Sequence, residues 1–165
     1  MADTPQAGLA TASADNTESG SKRSLRAWLY LLKCSKKLDQ IMSDRLRQHY
    51  NSSLSRFDVL AHLDLAGKEG LSISVLAGKL LASKGNITRL LDRMEQDELI
   101  IRHQHTADKR IHNICLTGKG AELFNRMAPD HERWTHEILN VLDSNEQEEL
   151  VRLLKTVRSR LEDVL

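Results

Sequence analysis

The chain has 165 residues, enough for one domain with its own core. Hydrophobic residues make up 40% of it and aromatic residues only 4%, which favours aliphatic helix packing over a β-sandwich. With a formal net charge of +1, any nucleic-acid binding has to come from a local patch, not from the chain as a whole.

Residues 1–21 are rich in Ala, Thr, Ser, Asp and Gly, with Pro5 and a single leucine, Leu9. Such a stretch cannot bury a core and is predicted to be a disordered tail. It has neither a basic start nor an apolar run, so it does not read as a secretory signal. No stretch approaches the ~20 apolar residues of a membrane span. Cys34 and Cys115 lie far apart with no metal or redox spacing, which argues against a disulfide framework and for a reducing, cytoplasmic location.

From Ser24 to Tyr50, Leu25, Trp28, Leu32, Leu38, Met42 and Leu46 recur at helical intervals. The connector NSSLS comes next, and Ser55 with Asp58 approximates a capping box ahead of Phe57, Val59, Leu60 and Leu63. Gly67 and Gly70 end that helix, and Leu71 to Ile73 reads as a very short strand able to pair with a later hairpin. Ser74 to Leu81 forms the next helix, with Val75, Leu76 and Leu80 inward, and Ala82 and Ser83 make a tight turn.

Ser83 to Asp97, SKGNITRLLDRMEQD, is the stretch around which the rest is organised. Ile87, Leu90, Leu91 and Met94 share one helical face, and the opposite face carries Gly85, Arg89, Asp92, Arg93 and Gln96, with Asn86 and Thr88 on the flanks. Ser83 is placed to cap the helix. Its first turns expose Lys84, Asn86, Thr88 and Arg89, with no acidic residue before Asp92. Arg and Asn pair bidentately with guanine and adenine edges, while Lys and Thr reach phosphates. Taken alone, this is also the pattern of an ordinary amphipathic surface helix. The hairpin next in the chain favours DNA. Leu99 to His105 and Ile111 to Leu116 alternate with period two about the connection Thr106 to Arg110, a β-hairpin whose tip carries Asp108, Lys109 and Arg110. A groove-facing helix joined directly to a basic-tipped hairpin is the sequence form of a winged helix-turn-helix, and Arg110 suits the negative potential of a narrow minor groove. Between Ser72 and Leu116 there are seven cations and five anions, four of the anions clustered at the far end of the helix. Binding by such a patch is expected to be moderate and strongly salt-dependent.

After the hairpin Thr117 caps a helix in which Phe124, Met127, His131, Trp134, Ile138 and Val141 form a heptad-like stripe, with Pro129 expected to bend or split it. Ser144 and Gln147 form a capping box for a last helix bearing Leu150, Leu154, Val157, Leu161 and Val164. The first helix and the last two leave more apolar face than one small lobe can cover, which points to a partner chain; packing in an internal core is the competing reading.

The run from Leu54 to Gly120, with LSRFDVLAHL, LAGKLLASKGNITRLLDRMEQDELI and HTADKRIHNICLTGKG, resembles the multiple-antibiotic-resistance regulator (MarR) family of bacterial transcription factors. Asp108-Lys109-Arg110 matches the family's Asp-x-Arg wing motif, and the flanking helices extend the resemblance over roughly Leu25 to Leu165. Glu98 departs from the pattern, standing where the family usually has the Gly that closes the recognition helix. The resemblance implies a mainly α fold with a small β-hairpin wing: residues 22–165 form one domain, with a winged helix-turn-helix lobe at 55–117 and dimerisation helices at 22–50 and 118–165. It implies a homodimer on a double-stranded, pseudo-palindromic operator, released by a small effector such as an aromatic acid or an acyl-coenzyme A. DNA contacts fall to Ser83, Lys84, Gly85, Asn86, Thr88, Arg89 and Arg93 on the helix and to Thr106, Asp108, Lys109 and Arg110 on the wing. The implied effector pocket draws on Trp28, Leu32, Phe57, Leu60, Met127 and His131, with Arg26 or Arg56 to hold an acidic group; each apolar member taken singly is equally a core residue.

No enzyme constellation is present: there is no Gly-rich phosphate loop, no G-x-S-x-G elbow and no H-E-x-x-H, so no cofactor is assigned. His103, His105 and His112 share the hairpin, but no carboxylate or thiol completes a ligand set, and a solvated wing surface is the simpler reading, so no metal is assigned. Two alternatives to a ligand-responsive regulator stay open. Cys34, with Lys33, Lys36 and Lys37 nearby, fits a redox sensor if its thiolate is stabilised, or the lobe is a helical module that binds protein, not DNA.

Overall fold

The computed structural model describes residues 12–80, 84–104 and 112–163. Their order is α1 (Ala12–Tyr50), α2 (Leu54–Ala66), a short 3₁₀ turn (Gly67–Glu69), β1 (Leu71–Ser72), α3 (Ile73–Lys79), α4 (Lys84–Gln96), β2 (Ile100–Gln104), β3 (His112–Leu116), α5 (Gly118–Leu139) and α6 (Ser144–Glu162). This is the mainly α architecture with a small hairpin that the sequence predicts. The contacts divide the chain between Asp44 and Arg45 into two compact units.

In the first unit α1 begins at Ala12, so the expected disordered tail over residues 1–21 is corrected for 12–21; residues 1–11 lie outside the described residues. Composition shows that this stretch cannot bury a core, but adding turns to a helix already nucleated requires none. Along α1 the apolar stripe is buried at Leu46 and Met42, half-buried at Leu38 and Leu32, and exposed at Trp28 and Leu25.

The second unit is built on α2, whose Val59, Leu60 and Leu63 are fully buried. Ser53, not Ser55, caps this helix: its hydroxyl accepts from the Arg56 N–H. At Gly70 (φ +65°) a Cβ would stand 2.3 Å from the Ile114 carbonyl oxygen, so only glycine lets the chain pass this close to β3. β1 then pairs with β3 in the register Leu71↔Ile114 and Ser72↔Asn113. The expected short strand therefore exists, although Ile73 already belongs to α3, capped by the Ser72 hydroxyl. On α3 Leu76 and Ala77 are buried, whereas Val75, expected inward, is exposed.

β2 and β3 form the hairpin, antiparallel from Ile100↔Leu116 to Gln104↔His112, and the sheet order is β1-β3-β2. Thr117 caps α5 through the Gly120 N–H. A Cβ at Gly120 would lie 2.0 Å from the Leu99 carbonyl oxygen, which is how the first turn of α5 comes to rest on the root of β2. Of the bend or split expected at Pro129, the split does not occur: α5 is one helix from Gly118 to Leu139. Met127 and Trp134, buried on either side of the proline, anchor both flanking turns and offset the one missing hydrogen bond. Asp143 caps α6 in a capping box with Glu146, in place of the expected Ser144 and Gln147.

Candidate nucleic-acid interface

The helix-turn-helix consists of α3 and α4, and the apolar face of α4 sets its orientation. Ile87, Leu91 and Met94 are buried to 1% exposure or less against the rest of the lobe, which turns Gly85, Asn86, Arg89 and Arg93 outward. Thr88 is half-buried on the flank. Both α3 and β2 pack against α4. Of the predicted helix contacts, Ser83 lies outside the described residues, as do Thr106, Asp108, Lys109 and Arg110 of the wing.

The charges along α4 are sorted by position. Its first turn holds no acid. The four carboxylates at its far end are each paired with a cation from another element. Arg102 of β2 reaches both Asp92, at 2.6 Å, and Glu95, at 2.5 Å. Arg56 of α2 pairs with Asp97, and Lys119 of α5 meets Glu98 at 3.1 Å. Arg89 and Arg93 form no ion pair among the described residues. Burial is the main cause holding the Arg56 guanidinium below its usual pKa, with the nearby charge of Arg93 adding to it. Seven cations against five anions thus understates the field at the outward face, because Arg56 and Lys119, from outside that stretch, offset two of the carboxylates while Arg89 and Arg93 form no ion pair among the described residues.

Sequence reasoning missed Arg102, yet the signal was present. On β2 the buried Ile100 and half-buried Arg102 share one face while Ile101 is exposed. A guanidinium at an inward strand position needs a buried or half-buried partner.

The exit of α4 fits a glycine-type cap occupied by a glutamate. Glu98 has φ +60°, its N–H donates to the Glu95 carbonyl, and the Leu99 N–H donates to the Met94 carbonyl. These bonds, with Met94 and Leu99 both buried, form a Schellman motif with Glu98 at C′. The Thr117 hydroxyl donates to the Glu98 carbonyl at 2.6 Å, tying the exit to the start of α5.

The predicted effector residues separate. Phe57 and Leu60 lie on α2 and Met127 and His131 on α5, two helices that pack together. The Phe57 and His131 rings stack with centroids 4.2 Å apart and an interplanar angle of 17°. Burial pushes the His131 imidazole below its ordinary pKa. Leu60 and Met127 are fully buried core. Arg56 is committed to Asp97 at the end of α4. Arg26, Trp28 and Leu32 belong to the first unit, the first two exposed and Leu32 half-buried.

Cys34 is exposed, whereas Cys115 is buried and its thiol is pushed up by that burial. His103 is exposed on β2, and the side chains of His105 and His112 lie outside the described residues. No described helix is long and apolar enough to cross a membrane.

Comparison with known proteins agrees with this geometry. The MarR family model matches residues 53–112. The chain is 30% identical over 137 residues to the HTH-type transcriptional regulator MhqR of Bacillus subtilis, covering 83% of this chain and 92% of that one. In fold it is similar to MepR of S. aureus, solved as a DNA complex, with a TM-score of 0.74, 24% identity, and coverage of 81% of this chain and 97% of the other. It is also similar to the organohalide-sensing RdhR transcriptional regulator in its 2,4-dichlorophenol-bound form, with a TM-score of 0.74, 21% identity, and coverage of 83% and 80%. The chain is a transcriptional regulator of the MarR family, not an enzyme.

Proposed function

We propose that the protein binds a pseudo-palindromic DNA operator as a homodimer, with α4 in the major groove and the wing in the flanking minor groove, and represses transcription until a small molecule releases it. The observation that carries the reading is the sorting of charge on α4. Arginines without an ion pair among the described residues occupy its outward face, and each carboxylate at its far end is ion-paired to a neighbouring element, four carboxylates sharing three cations. Lys84, Gly85, Asn86, Thr88, Arg89 and Arg93 are the proposed groove contacts of the helix, with Ser83 at its start; Thr106, Asp108, Lys109 and Arg110 are those of the wing. Half-sites then lie about one helical turn, ~10 bp, apart.

Two faces support the dimer. Leu154, Val157 and Leu161 of α6 are exposed, as are Leu25 and Trp28 of α1. For the effector we keep an aromatic acid or a related acyl-coenzyme A, with the stacked Phe57 and His131 rings as the aromatic element between α2 and α5. The RdhR regulator, similar in fold, was solved with the aromatic molecule 2,4-dichlorophenol bound.

Binding titrations of Arg89→Ala and Arg110→Ala at several salt concentrations test the docking. Loss of Arg89 is expected to cost ~1–3 kcal/mol at its preferred base and relax the preference there. Loss of Arg110 is expected to weaken binding to many sequences alike and flatten the salt dependence by about one unit of slope. The reverse pattern would show that helix and wing have been assigned to the wrong grooves.

A further inference from the structure

Arg102 lies at the root of the wing, yet its guanidinium points back to α4 and holds Asp92 and Glu95 through separate nitrogens. Its side chain is only 24% exposed, and its Nε is buried without a hydrogen-bond partner. A lone ion pair of this kind at a surface contributes little to stability. Here one cation spans two carboxylates almost one helical turn apart, so it fixes both the rotation of β2 about α4 and its position along it. Opposite Arg102 in the sheet stands the fully buried Ile114.

We propose that Arg102 is a positioning residue for operator recognition: it clasps the wing to the recognition helix so that the two dock on DNA as one rigid unit. The proposal rests on the DNA-binding reading and deepens it. A wing free to pivot still meets phosphates, because phosphates occur everywhere along the duplex. Sequence discrimination suffers instead, since only a fixed offset aligns base contacts in the major groove with the correct segment of minor groove. Charge masking alone makes the opposite prediction. If Arg102 only hid two acids, deleting those acids would tighten binding to every DNA.

The sign of that effect provides the test. A duplex enriched from a random pool by the parent protein, and a scrambled duplex of equal length, serve as the two probes. Two full-length variants are compared with the parent, Arg102→Met and the double substitution Asp92→Ala with Glu95→Ala. Alanine at two partly exposed helix positions favours the helix and removes no buried packing, so the double variant is decisive even where Arg102→Met fails to fold. Both variants are expected to lose about tenfold or more of the ratio between the two affinities, comparable to one good bidentate base contact. For the double variant this is expected even though its binding to the scrambled duplex strengthens. Hydroxyl-radical footprints are expected to lose the wing's protection while keeping that of the helix. A double variant that binds both duplexes more tightly with the ratio unchanged overturns the clasp and leaves the DNA-binding reading standing. A parent protein that enriches no sequence overturns that reading, and the clasp with it.

Discussion

Helices α4 and α6 obey the same amphipathic rule and meet opposite fates. On α4 Ile87, Leu91 and Met94 are covered from within the lobe and Leu90 is half-buried, and the outward cations Arg89 and Arg93 form no ion pair among the described residues. On α6 two ion pairs run along the helix, Arg152 with Glu149 and Arg158 with Glu162, while Leu150, Leu154, Val157 and Leu161 stay 37–58% exposed. Periodicity tells which face of a helix has to be covered but not what covers it. An open cationic face on a rigid, buried helix matches a polyanion. An open apolar stripe matches another protein surface, and in a two-fold dimer that surface is supplied by a second copy.

The largest effect is therefore expected on α6. Leu154→Asp with Leu161→Asp places four carboxylates in the proposed interface of the dimer, each losing hydration without gaining a partner. The dimer dissociation constant is expected to rise by about a thousandfold or more, read by sedimentation. A variant as dimeric as the parent would move the interface off this stripe. Leu91→Ala on α4 is the matching cut into a covered face. It is expected to cost about 2–5 kcal/mol of stability in urea denaturation, because the surrounding core collapses only partly into the space. If the same denaturation showed Leu91→Ala to be neutral, the burial that aims Arg89 outward would not be holding α4 in place.

Elements with a strong local signal were legible in the sequence: the alternation on both arms of the hairpin, the stripe on α4 and even the two-residue strand at Leu71. Cap positions shifted by a residue or two, as from Ser55 to Ser53 and from Ser144 to Asp143, because several adjacent Ser and Asp side chains satisfy the same rule and only the path of the incoming chain selects one. At Pro129 the sequence leaves a bend and a split open, and the helix continues through it with Met127 and Trp134 buried on either side. The outward face of the candidate site was readable from spacing. Its electrostatics were not, since Asp92, Glu95, Asp97 and Glu98 find their partners on β2, α2 and α5, at sequence distances that no local pattern spans. Arg56 shows this most plainly: the resemblance offers it, with Arg26, to hold an acidic effector group, and the fold pairs it with Asp97.

The smallest effect sharpens the comparison at the end of α4, where a residue is held in a conformation that α6 never asks of its own. The C-cap of α6, Asp163, keeps an ordinary right-handed backbone, whereas Glu98 at the exit of α4 sits at φ +60°. A left-handed non-glycine residue costs roughly 1–2 kcal/mol, and replacing it with glycine removes that cost. Against this, glycine loses about 0.4–1 kcal/mol to the greater freedom of the unfolded chain. The exposed contact with Lys119 contributes at most a fraction of the difference. Glu98→Gly is therefore expected to stabilise by about 0.5 kcal/mol, raising the melting temperature by roughly 1–2 °C. Glu98→Ala keeps the left-handed strain and loses the ion pair, so it is expected to melt at or below the parent. Thermal denaturation of the three proteins separates backbone from charge. If glycine and alanine lower the melting temperature equally, then the bond to Lys119 outweighs the strain, and Glu98 is there for its carboxylate. If only glycine raises it, the backbone at this exit is strained, and the Schellman bonds to Glu95 and Met94, with the Thr117 hydroxyl on the Glu98 carbonyl, are what hold the wing at its angle to α4.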